Sequence, residues 1–433
     1  MFVGLPFSVG DFLLRPRIYF LLIAFCAIID IIYGGNIMIR DFFIYIIYVG
    51  YVMYGWIASL LGGVWPQMYG DIGAQINFLG ILVMINYISS GVTSLLTYKI
   101  RLRLGTSYSN ILALGLAAIS MLLFANATSI PFVVVAIVFL GASSGIIDVN
   151  SNSYVVKAYE SKWVSFMHAC WGFGATIGPV VMGLTMVYFN NYKIGFYITF
   201  VIIILVMIAL YLAKRYWEGK KKSLDQEYVK LHSVSKEEKE ANVSLVEILK
   251  VKNALKILLC FLLANGAGCS LSVWIATMAV GQRGVTATEG ALAASVFFFA
   301  LMMGRIVFGL LADKKGIPFT IKLAVALTTI SVICYYIPYK NLYIVFVHSA
   351  VVGFVSGSTI PLLNANLKDM FDSKYLSPLI GFGGVFGLGG IALGSAIMTV
   401  VANALTIHHV QIVQIISFAL IYFIYSSVVK NVK

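Results

Sequence analysis

The chain of 433 residues is 61% hydrophobic and only 11% charged, and apolar runs of twenty or more residues recur along it. A water-soluble protein carries more charge and a membrane β-barrel shows alternating segments of about ten residues, so the composition predicts a polytopic helical membrane protein. The formal charge of +13 lies mostly in loops beside apolar runs, where it indicates topology and not a nucleic-acid partner.

The first 37 residues are expected to be an extension from a mis-assigned start. A short apolar run at 18–34 contains Asp30 and would have to cross the membrane against the positive-inside rule. The segment Tyr33-Gly-Gly-Asn-Ile-Met38 back-translates to a purine-rich sequence resembling a bacterial ribosome-binding site before a start codon. Met38 is therefore the expected natural start.

From Asp41 onward the apolar runs predict twelve spans. Loops on one side contain most of the basic residues, whereas those on the other contain only Lys193, Arg283 and Lys340, so both termini are expected in the cytoplasm. The expected spans are 42–64, 76–98, 108–126, 131–156, 164–188, 194–213, 254–279, 289–312, 319–338, 341–363, 376–402 and 407–428.

One long hydrophilic segment, 214–253, divides the spans into an N-terminal half (38–213) and a C-terminal half (254–433). It is interpreted as a solvated cytoplasmic linker, with a regulatory docking site as the alternative. Two weak internal echoes relate the halves. Ile137-Val-Phe is repeated at Ile344 (344 minus 137 is 207), and the glycine-rich run from Phe173 is repeated at Phe382 (382 minus 173 is 209).

An aspartate inside a long apolar run is the main functional signal. Asp148 lies late in span 4, where a charged residue costs about 2.5–3.5 kcal/mol on insertion scales and usually faces a partner or a water-filled cavity. Asn152, four residues on, shares its helix face. The pair is typical of a proton site beside a hydrogen-bonding solute site, although Asp148 could instead cap or pin helices. Asn150 is expected to face away and to join helices.

A family resemblance becomes specific between spans 8 and 9. The segment Gly304-Arg-Ile-Val-Phe-Gly309-Leu-Leu-Ala-Asp313-Lys-Lys-Gly316 resembles the loop motif of the major facilitator superfamily. The resemblance implies an all-α fold of twelve helices in two pseudo-symmetric six-helix halves. It also implies that Gly304, Arg305, Gly309, Asp313 and Gly316 act as a conformational latch and do not bind substrate.

Within that superfamily the chain resembles the fucose and glucose permease branch. The first-half loop from Gly91 to Gly105 lacks the usual acid, as in that branch, and fucose permeases have an acid and an amide spaced like Asp148 and Asn152. The segment beginning Met167-His168 resembles the glycine-rich span 5 of that branch. The resemblance implies sugar–proton symport.

The chain also departs from that branch. Span 1 has no second acid, and Gly268 stands where related permeases have a glutamate before Trp274. Coupling through Asp148 alone, coupling by another route, and transport without protons therefore all stay open. His168 could join a proton relay or form a helix–helix contact.

Candidate solute contacts are amides and aromatic rings in the central spans. Amides bond hydroxyls, and tryptophans stack on sugar faces, although each tryptophan could instead serve packing. The candidates are Asn152, Asn86, Trp56, Trp171 and Trp274.

The expected function is proton-coupled uptake of a sugar or similar small polar solute, with proton-driven export of a drug or metabolite as the alternative. An enzyme is not expected, because the sequence has no metal cluster, nucleophile motif or clustered carboxylates. No cofactor or metal is predicted, since a proton gradient would supply the energy. The expected partners are a small solute, protons and the lipid bilayer of a bacterial cell membrane, with the protein a monomer.

Overall fold

The spans are long apolar helices, as their composition predicts. In the computed structural model, residues 42–158, 161–212, 245–337 and 341–430 are described. Within these ranges twelve helices are long and apolar enough to cross a membrane, which confirms the predicted number. The expected extension at 1–37 and the greater part of the predicted linker, 214–244, lie outside the described residues.

The spans are numbered here in chain order. Spans 1–6 are Ile47–Asp71, Ile76–Thr97, Ser107–Ala125, Ile130–Asn152, Phe166–Phe189 and Lys193–Leu212. Spans 7–12 are Ala254–Arg283, Ala287–Lys315, Ile317–Tyr336, Leu342–Met370, Pro378–Ala404 and Ile407–Val429.

The bounds of several helices differ from those of the apolar spans, and one span contains two helices. Span 10 consists of two helices, Leu342–Ser356 and Thr359–Met370. The helices whose bounds differ from those of their spans are Phe42–Asp71 (span 1), Leu79–Ala125 (spans 2 and 3), Ile130–Ala158 (span 4), Ser161–Phe189 (span 5), Ser373–Ala404 (span 11) and Gln411–Lys430 (span 12). Short helices are Ile76–Phe78, Leu245–Lys250 and Ile407–His409.

Two glycines make equivalent sharp turns in the two halves. Gly105 breaks the helix that contains spans 2 and 3, with φ of 77°, and Gly316 separates span 8 from span 9, with φ of 86°. Residues with a Cβ rarely adopt positive φ, so glycine is required at both turns. The loop motif predicted between spans 8 and 9 thus has a structural counterpart between spans 2 and 3.

Glycine pairs also form equivalent helix crossings. Gly141 and Gly145 of span 4 lie against backbone carbonyls of span 2, and Gly353 and Gly357 of span 10 lie against those of span 8. Without a Cβ these helices approach closely. The residue numbers of the paired glycines differ by 212 (353 minus 141), so the echo at Ile137, with its difference of 207, does not match this register. The carbonyls belong to Asn86, Ser90, Phe297 and Leu301.

The second echo does not match the structure either. Gly174 and Gly178 of span 5 lie against backbone carbonyls of span 1, and Gly390 and Gly394 of span 11 lie against those of span 7. The residue numbers of these equivalent glycines differ by 216 (390 minus 174), whereas the echo has a difference of 209. The equivalent crossings themselves give the pseudo-symmetric all-helical fold that was predicted.

The two halves meet mainly on the side where odd-numbered spans end, which is the predicted extracellular side. Asn77 Nδ2 donates to Asn403 Oδ1 at 2.8 Å, and Thr399 Oγ1 donates to the Asn77 carbonyl at 2.9 Å. Gly183 of span 5 packs against the start of span 8 on the same side, and Gly172 packs against Met302 at mid-depth. Among the described residues, the close glycine contacts and hydrogen bonds between the halves lie from this side to mid-depth.

Candidate functional site

Asp148 lies in a three-residue hydrogen-bonded cluster. The Tyr51 hydroxyl donates to Asp148 Oδ1 at 2.8 Å, and Asn152 Nδ2 donates to the same oxygen at 2.9 Å. Asn152 Nδ2 also lies 2.7 Å from the Tyr51 hydroxyl oxygen, which accepts from it. The carboxylate thus has two donors, one from span 1 and one from its own helix.

Helix geometry explains how the cluster forms. Asn152 follows Asp148 by four residues, so the two side chains lie one turn apart on one face. Tyr51 approaches from span 1 and is fully buried, whereas Asp148 and Asn152 are half-buried. Since a buried acid needs hydrogen-bond partners, the cluster holds the carboxylate while leaving part of it accessible.

His168 borders this cluster from span 5. Its ring lies 5.7 Å from the Tyr51 ring, centroid to centroid, in an edge-on arrangement of 84°. Its side chain is exposed although protein groups surround it, and it interacts electrostatically with Asp148 and Arg305. The exposure is therefore to an interior cleft, where His168 lies between an acid of one half and a base of the other.

Trp171 connects the two halves through aromatic contacts. Its ring centroid lies 6.3 Å from that of Tyr54 in span 1 and 6.1 Å from that of Phe298 in span 8, both in edge-on arrangements. Such pairs contribute about 0.5–1.5 kcal/mol beyond area burial. The indole therefore forms part of the boundary between the halves at mid-depth.

Arg305 of span 8 faces the same region. Its guanidinium carbon lies 5.9 Å from the Trp171 ring centroid, within the range of a cation–π interaction. Its Nε donates to the Gly357 carbonyl at 3.1 Å, at the break between the two helices of span 10. Arg305 also interacts electrostatically with Cys269 of span 7.

These residues define a central cleft between the halves. Tyr54 of span 1 and Tyr87 of span 2 each interact electrostatically with both Asp148 and Cys269, so these groups lie near one another. The term "central cleft" refers below to Tyr51, Tyr54, Tyr87, Asp148, Asn152, His168, Trp171, Cys269, Phe298 and Arg305.

The family follows from comparison with known proteins. Residues 47–395 match the model of the Major Facilitator Superfamily. The chain belongs to the major facilitator superfamily. This transporter is therefore a multi-pass membrane protein that moves a small solute, and it is not an enzyme. No curated protein sequence matches it.

A solved structure has a similar fold over most of its length. A crystal structure of a D-xylose-proton symporter has a TM-score of 0.68 to this transporter, with 14% sequence identity. The similarity covers 88% of this chain and 96% of the symporter chain. At this identity the similarity supports the fold and leaves the solute open.

Three predicted solute contacts lie away from the cluster in this transporter. Asn86 packs against Gly141 at the crossing of spans 2 and 4. Trp56 Nε1 donates to Thr199 Oγ1 of span 6 at 3.2 Å, and Trp274 is completely buried. The structure thus brings Asp148, Asn152, His168 and Trp171 together and places the other three in packing regions.

The predicted latch residues occupy different environments. Gly304 lies directly against the Phe354 carbonyl, whereas Gly309 has open space where a Cβ would be. Asp313 is exposed, and Gly316 forms the turn described above. Arg305 faces the central cleft, ten residues from the end of its helix at Lys315. The latch role of the glycines and Asp313 stays a prediction, whereas the position of Arg305 at the cleft offers that residue a role in solute binding instead.

Several cleft residues were missed by sequence reasoning. Tyr51, Tyr54, Tyr87, Cys269 and Phe298 are unremarkable in an apolar sequence rich in aromatic residues. One signal was present, because Tyr48, Tyr51 and Tyr54 recur at every third residue in span 1, so successive hydroxyls lie about 60° apart around the helix axis. A row of hydroxyls inside a membrane helix indicates a polar partner on another helix.

Proposed function

We propose that this transporter imports a sugar or a similar small polar solute together with protons, by alternating access of the central cleft. The observation that carries the proposal is the cluster of Tyr51, Asp148 and Asn152. It supplies one titratable group, held by two donors and partly accessible, beside aromatic rings suited to a sugar face.

The proton would act on Asp148. With the carboxylate charged, closing apolar helices around it is unfavourable, because an ion loses hydration that the two donors replace only in part. Protonation removes the charge and so lowers the free energy of the occluded state. A solute that binds the occluded state more tightly would favour the same change, and this difference in affinity constitutes coupling.

Two further observations support symport. The resemblance to fucose and glucose permeases includes the pair Asp148 and Asn152 of the cluster, and the fold resembles that of a D-xylose-proton symporter. The close glycine contacts and hydrogen bonds between the halves lie from the predicted extracellular side to mid-depth, which is consistent with a cleft accessible from the cytoplasm. We place both termini and the linker in the cytoplasm of a bacterial cell, on the distribution of basic loops.

External pH in lightly buffered, de-energised cells tests the proposal. Hexoses, deoxyhexoses, disaccharides, nucleosides and sugar acids are added one at a time. We expect alkalinisation with one solute, and its loss in Asp148→Asn, which retains the shape of the side chain. Asp369→Asn, which changes an exposed acid at the end of span 10, is the matched control and should behave as the wild type.

The contrary outcome is also defined. Solute entry without alkalinisation, or alkalinisation that persists in Asp148→Asn, would contradict coupling through this cluster. Export of a drug or metabolite in exchange for protons would instead dissipate a pH gradient in inverted vesicles, and that result would replace symport by the antiport alternative.

A further inference from the structure

We propose that Arg305 binds an anionic group of the solute, so that the transported molecule is a small hydroxylated carboxylic acid and not a neutral sugar. The inference rests on the proposed function, because it concerns the solute of the same cleft. Three observations support it: the position of Arg305, the two terminal nitrogens of its guanidinium, and the balance of charge in the cleft.

Arg305 and Asp148 both interact electrostatically with His168. Each is ten residues from the end of its helix, Asp148 from Ala158 and Arg305 from Lys315. At 1.5 Å per residue Arg305 lies about 15 Å inside the end of span 8. An arginine so deep in an apolar span is unfavourable, and such residues mark solute or ion pathways.

The guanidinium of Arg305 borders the cleft beside Trp171. Its Nε donates to the Gly357 carbonyl, and its central carbon lies 5.9 Å from the Trp171 ring centroid. Among the described residues neither terminal nitrogen has a hydrogen-bond acceptor, and the edge that they form matches the two oxygens of a carboxylate. Within the described part of the chain no salt bridge joins Arg305 to Asp148, so its charge is available to a ligand.

The charges across the cleft favour joint binding of a proton and an anion. With Asp148 ionised, the two opposite charges of the cleft balance. Protonation of Asp148 leaves the positive charge of Arg305 unbalanced, and a carboxylate would restore neutrality. Opposite charges attract more strongly in a cleft of low dielectric than in water.

Other titratable groups face this pair. They are Tyr51 and Tyr54 from span 1, Tyr87 from span 2, His168 from span 5 and Cys269 from span 7. Tyrosine and cysteine are ordinarily neutral near pH 7, so they do not alter the balance. With His168 neutral, one proton accompanies one carboxylate and transport is electroneutral.

A purely structural role for Arg305 makes a different prediction. If the side chain only fastened the break in span 10 through Gly357, its replacement would lower stability without altering the choice between charged and neutral solutes. Measuring the selectivity between charged and neutral solutes therefore distinguishes anion binding from a structural role. Arg305→Lys keeps the charge but loses the planar edge, whereas Arg305→Gln loses both.

The first measurement is uptake into proteoliposomes driven by an inward proton gradient. The probes are matched pairs, D-glucuronate with D-glucose and D-galacturonate with D-galactose. We expect the wild type to accumulate an acid in preference to its neutral partner, at a rate insensitive to a membrane potential imposed with potassium and valinomycin. Arg305→Gln should weaken apparent affinity for the acid about 10- to 100-fold. Lys322→Gln, which removes a positive charge from span 9, should have no effect.

The second measurement needs no transport. In a variant that retains Cys269 as its only cysteine, the rate of thiol modification reports occupancy of the cleft, because this side chain is partly accessible and interacts with Arg305. We expect the acid that is transported to slow the modification and its neutral partner to have little effect. Protection should disappear in Arg305→Gln and weaken in Arg305→Lys, which also serves if the glutamine variant does not fold.

The outcomes separate the two proposals. Proton-coupled entry of a neutral sugar with no effect of any acid would overturn the inference and leave the proposed function intact. Acid uptake that is unchanged in both Arg305 variants would overturn the role of Arg305. Failure of every acid and every sugar to enter or to protect Cys269 would overturn both proposals.

Discussion

The Tyr51 hydroxyl and the Asp148 carboxylate are joined by a hydrogen bond of 2.8 Å between two helices, spans 1 and 4. The bond places a fully buried phenol against the titratable group of the central cleft. Because the same hydroxyl accepts from Asn152, Tyr51 holds both polar residues of span 4 in position. The relationship makes Tyr51 a positioning residue for the proton site.

Tyr51→Phe should therefore impair coupling while preserving the fold. The ring stays packed, but Asp148 loses a donor and Asn152 an acceptor, and a hydrogen bond to a charged group contributes about 1.5–3 kcal/mol. We expect proton-driven uptake to fall about tenfold or more, with the thermal midpoint in detergent little changed. Tyr69→Phe, farther along span 1, is the control; equal loss in both variants would refute the positioning role.

The buried amide pair Asn110 and Asn150 should matter for stability and not for coupling. Asn150 Nδ2 donates to Asn110 Oδ1 at 2.8 Å, which confirms the prediction that Asn150 joins helices and faces away from Asp148. Asn150→Ala leaves the Asn110 amide buried without this partner, so unfolding should become easier by about 1–3 kcal/mol. The free energy is measured by denaturant titration in detergent. A coupling defect at unchanged stability would contradict this assignment.

The sequence was sufficient for features that depend on local spacing. Apolar length predicted the twelve spans, and a spacing of four residues placed Asp148 and Asn152 on one face. The partner of that face was not predictable, because Tyr51 lies 97 residues away in the chain and meets Asp148 only through the rotation and packing of two helices. For the same reason nothing local distinguished Trp171, at the cleft, from Trp274, in the core.

Two glycines of the predicted latch should respond oppositely to alanine. A Cβ at Gly304 would collide with the Phe354 carbonyl, so Gly304→Ala must displace span 8 from span 10, at a cost of about 1–3 kcal/mol. Gly309 has open space and favourable helical surroundings, so Gly309→Ala should be neutral or stabilising by up to about 1 kcal/mol. The test is to compare the thermal stability of the Gly304→Ala and Gly309→Ala variants in detergent. Equal destabilisation would show that close packing is not what distinguishes Gly304.

The hydrogen bond between Asn77 and Asn403 should stabilise closure on the predicted extracellular side. It joins the two halves at 2.8 Å, and Asn403→Ala removes the side-chain acceptor while the bond from Thr399 to the Asn77 carbonyl can persist. A loss of about 0.5–1.5 kcal/mol shifts a two-state equilibrium about two- to tenfold toward the state open on that side. In right-side-out vesicles, an impermeant thiol reagent should then modify Cys269 faster by this factor. Asn126→Ala, which removes a 3.0 Å bond to Tyr197 within one half, is the control. Unchanged labelling in Asn403→Ala, or equal acceleration in the control, would show that this contact does not hold the halves together.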